Sequence, residues 1–211
     1  MRKKLGISSE EFLEKYSYYH IDNKSRIFVL LRMPCPFLSS EGCGIYTERP
    51  VKCRLYPVVE HFSRKTSGEA DSCDISYFID ETTDCLGQQE NAEWTIETWK
   101  SNQGIDGYDE LHKEWNGILL MANISGEYDQ AQVYIAGYDL DRFRRFIFKS
   151  GFLDIVDIGE EEINKIRTDD IVLMKFGFKY LKDYFNIEPT LKLRGNNKLQ
   201  FKQITKEIIR F

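Results

Sequence analysis

The chain has 211 residues, of which 42% are hydrophobic, 30% charged and 14% aromatic. That length suits one large domain or two small ones with a core that needs no disulfide staples, and the aromatic content excludes a disordered chain. Lys and Arg number 29 against 34 Asp and Glu, a net charge of −5, which argues against a general binder of phosphate backbones, because that affinity needs a cationic excess.

Met1-Arg2-Lys3-Lys4 carries the positive charge of a leader, but no apolar stretch follows it. The longest apolar run, Ile27 to Leu31, falls far short of the ~20 residues of a membrane-spanning helix. The expectation is a soluble cytoplasmic protein with neither a membrane nor a nucleic acid as partner. In a reducing compartment, clustered cysteines are metal ligands or catalytic thiols more often than disulfide partners.

Ser8 and Glu11 form a capping-box pair, and Phe12, Leu13, Tyr16 and Tyr19 recur at helical spacing, which predicts a helix over Ser9 to Tyr19. Arg26 to Met33, β-branched and aromatic and stopped by Pro34, reads as a strand. Prolines and glycines crowd the stretch from Pro34 to Pro57, so loops and tight turns are expected there, with a short helix capped by Thr47 and running to about Arg54. Polar sequence surrounds Cys73. Beyond Cys85, the apolar positions from Trp94 to Leu119 suit two helices broken around Gly104 and Gly107, and Asn123 to Gly126 reads as a junction.

Asp139 can cap a helix with Leu140, Phe143, Phe146 and Ile147 on one face, stopped by Gly151. Its Arg142, Arg144, Arg145 and Lys149 read as a solvated face. Phe152 to Ile158 is expected to be extended, Glu160 to Glu162 to start a short helix, and Thr168-Asp169-Asp170 to open a longer one. Leu191/Leu193 and Leu199/Phe201 alternate around Gly195-Asn196-Asn197 in the manner of a hairpin. The fold class is therefore α+β: a small loop-rich, cysteine-bearing portion with short strands over residues 1–122, then a mainly helical portion over 123–211.

All five cysteines lie between Cys35 and Cys85, and their spacing makes neither a zinc knuckle nor a ferredoxin run. Arg49, Lys52 and Arg54 place cations near Cys53, which favours a thiolate, and Gly42 and Gly44 leave the backbone beside Cys43 open for amide donation to sulfur. The same residues also suit ordinary buried thiols. His61 is a candidate fourth ligand of a Cys3His site, although isolated histidines such as His20, His61 and His112 commonly lie on the surface. Trp94, Trp99 and Trp115 suit packing more than ligand stacking. No phosphate-binding glycine loop, dinucleotide fingerprint or hydrolase triad is present.

Three segments resemble the YkgJ-type cysteine-cluster family: Pro34-Cys35-Pro36-Phe37-Leu38, Glu41-Gly42-Cys43-Gly44-Ile45-Tyr46, and Glu48-Arg49-Pro50-Val51-Lys52-Cys53-Arg54-Leu55-Tyr56-Pro57. The resemblance extends over about Ser9 to Trp115. It implies a zinc- or iron-chelating protein with Cys35, Cys43 and Cys53 as ligands and Cys85, in Cys85-Leu86-Gly87, as the fourth; Cys73 matches no element of the pattern. Family members are often labelled iron-sulfur oxidoreductases, which puts an iron-sulfur cluster ahead of zinc and implies a redox or other protein partner. The signature is also similar to that of a flagellin lysine methylase, which implies a protein-modifying role, while a structural module with a vestigial cysteine site is the alternative. Members open with a Cys-x-x-Cys-x-x-Cys-Cys motif ahead of the first helix. Met1 to Ser8 contains none of it, so the resemblance implies either a reduced site or a motif further upstream.

Overall fold

The computed structural model describes residues 1–22, 27–64, 73–81, 85–125, 128–195 and 197–211. In chain order the elements are α1 (Arg2–Leu5), α2 (Ser9–Tyr16), β1 (Ser17–Ile21), β2 (Ile27–Leu31), β3 (Leu38–Ser39), β4 (Gly42–Cys43), α3 (Val51–Leu55), β5 (Val58–Arg64), β6 (Cys73–Ile79), α4 (Ile96–Asn102), α5 (Asp106–Ser125), α6 (Gln130–Gly137), α7 (Leu140–Lys149), α8 (Phe152–Ile155), α9 (Glu160–Thr168), α10 (Asp170–Tyr184) and α11 (Lys198–Thr205). Each of the three described sheets is an antiparallel pair: β1 with β2, β3 with β4, and β5 with β6. Short strands precede a mostly helical remainder, which is the α+β class expected. No helix among the described residues is long and apolar enough to cross a membrane.

Two compact units emerge. One comprises Ile45–Leu120 with Met1, the other Arg2–Gly44 with Met121–Phe211. The helical C-terminal portion read from the sequence thus has α1, α2 and the first two hairpins within its own unit.

In that unit the Ser8 hydroxyl accepts the Glu11 amide, as the capping box requires. The helix stops at Tyr16, three residues earlier than its periodicity suggests. Ser17 Oγ donates to Leu13 O at 2.6 Å, and Tyr18 to Ile21 pair with β2 instead. Pairing of aromatic and β-branched residues outweighs a helical spacing only two turns long. Ser9 also joins α2 to α7: its Oγ donates to Asp139 Oδ1 at 2.6 Å, its amide donates to Asp141 Oδ2 at 2.8 Å, and its Oγ accepts the Asp141 amide at 2.9 Å. Asp139 caps α7 as expected, and burial holds its carboxyl above the usual range against the opposing bonds from Ser9 and the Arg142 amide.

The arginines of α7 are engaged rather than simply solvated. Arg144 bridges Asp141 at 2.8 Å and Asp170 at 2.6 Å, Arg2 reaches the same two carboxylates, Arg145 pairs with Glu10, and Arg142 donates to Ile209 O. The solvated-face expectation fails for these arginines because partners from distant segments, Glu10, Asp170 and Ile209 O, reach them.

Phe143, Phe146, Phe152, Phe176, Tyr180 and Phe201 form the aromatic core of the unit. Their rings lie 5.3–6.2 Å apart in tilted, edge-to-face and stacked pairs, each worth ~0.5–1.5 kcal/mol beyond its burial. Tyr180 is fully buried, and its hydroxyl donates to Gln132 Oε1 at 2.5 Å, while Gln132 Nε2 donates to Thr205 O. Two expectations are corrected here. Phe152 and Ile155, three apart and both buried, form α8 rather than an extended segment, leaving Val156 to bridge Leu193. Residues 198–205 are helix α11 rather than half of a hairpin, because Phe201 enters the core while Leu199 faces solvent.

Gly177 lies inside α10 where a Cβ would stand 2.7 Å from Ala136 O of α6. Glycine costs up to ~1 kcal/mol in a helix interior, and the close approach of α6 accounts for it here. Gly177→Ala is expected to destabilise the protein by a net ~1–2 kcal/mol, overpacking outweighing the helical gain, read as a lower urea midpoint.

In the other unit, a 3₁₀ turn at Tyr46–Glu48 precedes α3, whose N-cap is Pro50 rather than Thr47. The β5–β6 hairpin was not foreseen. Its Glu60 carboxylate lies 2.7 Å from His112 Nε2, and its Phe62 ring meets the same imidazole edge-on at 5.7 Å. The two helices beyond Cys85 are α4 and α5, broken at Gly104 as expected, whereas Gly107 lies within α5.

Candidate metal centre

Cys35 lies just before the β3–β4 hairpin, and its carbonyl accepts the Leu38 amide at 3.2 Å. Cys43 is in β4 opposite Leu38. Gly42 turns the hairpin at φ 105°, a conformation that favours glycine, and the Gly44 amide closes it on Phe37 O at 2.8 Å. Phe37 anchors this loop: its ring stacks on Phe12 at 6.3 Å and lies 5.0 Å from Tyr16. The Phe of the Pro-Cys-Pro-Phe segment thus fixes the thiol-bearing hairpin to α2, with both Cys35 and Cys43 half-buried.

Cys53 is exposed on α3. Of the three cations expected beside it, two are structural. Arg54 is buried, and its guanidinium donates to the carbonyls of Arg49, Gln103 and Thr47 while facing the Tyr108 ring. Arg49 lies over the Tyr46 ring, 3.7 Å from its centroid, and donates to Tyr46 O and Gln103 Oε1. Together they fasten the turn before Cys53 to the end of α4. Lys52 is exposed.

Cys85 caps the 3₁₀ turn Leu86–Gln89, its carbonyl accepting the Gln88 amide at 3.0 Å. Gln88 Nε2 in turn donates to Asp80 O beyond the end of β6. A Cβ at Gly87 would lie 3.6 Å from Cys85 Sγ, at ordinary contact distance. Cys73 begins β6 opposite Arg64, its side chain outside the described residues. His61 is on β5 with its ring against Phe78 at 6.4 Å.

Among the described residues, no three His, Cys, Asp or Glu side chains gather as a group able to hold a metal ion. By donor chemistry, accessible thiols suit zinc or iron in preference to hard cations. Gln103 was not singled out from the sequence, Arg54 was read only as a cation tuning Cys53, and Phe37 and Gly87 only as parts of the motif. The repeated Arg of Arg49-Pro50-x-x-Cys53-Arg54 and the Phe beside Cys35 were the available signals.

Residues 2–90 match the model of the CxxCxxCC family, described as "Putative zinc- or iron-chelating domain". The match is shorter than the extent to Trp115 read from the sequence, and it contains all five cysteines. No curated protein and no solved structure matches the chain.

Proposed function

We propose that this chain, whose residues 2–90 carry the zinc- or iron-chelating domain of the CxxCxxCC family, binds zinc or an iron-sulfur cluster with Cys35, Cys43, Cys53 and Cys85 as ligands. The observation that carries the reading is that the matched span includes all four of these thiols, each half-buried or exposed. Bound zinc would supply a structural crosslink, and a cluster would supply one-electron chemistry. The protein's part is to present thiolates on short, braced turns: Phe37 holds the hairpin of Cys35 and Cys43, Arg49 and Arg54 hold the turn before Cys53, and Cys85 caps the 3₁₀ turn that follows it.

Because thiols must lose their protons to bind, retention of the metal falls on acidification. The test is anaerobic purification followed by metal and sulfide analysis and visible absorption. Stoichiometric zinc, or iron with sulfide and a broad visible band, is the expected result, with content lost in Cys53→Ser and kept in Cys73→Ser. A folded, metal-free protein with five titratable thiols that takes up neither zinc nor reconstituted iron and sulfide would overturn the reading.

A further inference from the structure

A cavity of about 520 Å³ lies between the end of α10 and α11, inside the unit that contains the helical C-terminal portion. Its rim carries Lys198, Lys202 and Lys206. Residues four apart share a helix face, and eight residues at ~1.5 Å rise each make a row ~12 Å long. All three side chains are exposed, and none pairs with a carboxylate among the described residues.

The acid in the lining is already engaged. Asp183 Oδ2 accepts the Thr190 amide at 2.8 Å, the Thr190 hydroxyl at 2.9 Å and the Leu191 amide at 2.8 Å. Tyr184, another lining residue, donates its hydroxyl to Asp129 Oδ2 at 2.8 Å. Its ring stacks on the buried Tyr180 at 6.2 Å, and Tyr180 lies 6.0 Å from Phe201, also in the lining, so one buried ring braces both lining rings from behind.

From this juxtaposition we infer that the cavity binds a nucleoside polyphosphate, with the lysine row on the phosphates and the Tyr184–Phe201 wall against the base. A single carboxylate would engage one ammonium group, whereas a polyphosphate presents several anionic oxygens to lysines that share one face. Lysine serves phosphate as a compact point charge, and the volume falls in the range of small-molecule sites, ~300–1,000 Å³.

The test is calorimetric titration of the full chain with ADP in low-salt buffer, beside adenosine and pyrophosphate alone. ADP is expected to bind one to one in the micromolar range and to weaken severalfold as salt rises. Lys198→Glu/Lys202→Glu is expected to weaken it at least tenfold with an unchanged melting temperature, these side chains being exposed. Adenosine and pyrophosphate are each expected to bind at least tenfold more weakly than ADP. Absence of saturation by millimolar ADP, an unaffected charge-reversed variant, or pyrophosphate binding as tightly as ADP would each overturn the inference, the last by reducing the site to a cationic patch.

Discussion

Replacing Arg54 with alanine is expected to lower the stability of the protein by about 3–4 kcal/mol. Its guanidinium donates to three backbone carbonyls, those of Thr47, Arg49 and Gln103, and the residue is 9% exposed. Bonds from a charged donor contribute ~1.5–3 kcal/mol each, although neighbouring losses do not simply add. Gly104, at φ 64°, would place a Cβ 3.3 Å from Arg54 Nη1, so the residue beside the brace favours glycine for both its backbone and its space. Urea unfolding followed by the fluorescence of Trp99, whose indole donates to Leu55 O at 2.9 Å, reads this change. Arg54→Lys should recover less than half, because an ammonium cannot reach three carbonyls with one planar fork. A loss below ~1 kcal/mol in the alanine variant, the size of an ordinary surface change, would show that the brace is dispensable.

The second large effect is at Lys100 and Asp109. Lys100 is 7% exposed, donates to Asp109 Oδ1 and lies 3.4 Å from the Tyr77 hydroxyl. Burial favours the neutral amine, but its bonds to Asp109 and Tyr77 outweigh burial and hold Lys100 above its ordinary value. Burial likewise pushes Asp109 up, and the bonds from Lys100 and Lys113 outweigh it, leaving the carboxyl below its ordinary value. Asp109→Asn removes the counter-charge of a buried ammonium and is expected to cost about 3 kcal/mol at neutral pH.

The sign with pH follows from linkage. Asp109 stabilises the fold above its unfolded value of ~3.9, and that contribution is lost as pH falls through its lower folded value. Lys100 stabilises it below its unfolded value of ~10.4, and that contribution is lost as pH rises through its higher folded value. The asparagine variant should therefore show a shallower loss of stability in acid than the parent in equilibrium unfolding measured from pH 2 to 7. Parallel acid limbs would place the lost energy elsewhere than in the ion pair.

The helices that were legible in the sequence carry their signals at their ends. Ser8 with Glu11, Asp139, and Asp169 each accept the amides their spacing implied. What was not legible depends on partners remote in the chain. Ser17 to Tyr19 looks helical until β2 is available to pair with it. Val58–Arg64 becomes a strand beside Cys73–Ile79, across a stretch whose composition gives only polarity. Phe152, Ile155 and Phe201 reveal their true period only when the aromatic core shows which of their neighbours are buried.

The candidate site divides in the same way. The motif residues Cys35, Cys43, Cys53 and Cys85 could be named from the sequence, but the work of Arg54 could not. A cation beside a cysteine reads as a tuner of sulfur, and only its three carbonyl partners identify it as a brace.

The bonds between Ser9 and the start of α7 also set an order of events during synthesis. Ser9 and Asp139 are 130 residues apart, an interval a ribosome crosses in roughly 6 to 26 s. Throughout that time α2 lacks the carboxylates that receive its first amide and hydroxyl. Ser9 is thus secured long after it is made, and a nascent chain halted before Asp139 should expose the region around Ser9 to proteases that spare it in the finished protein.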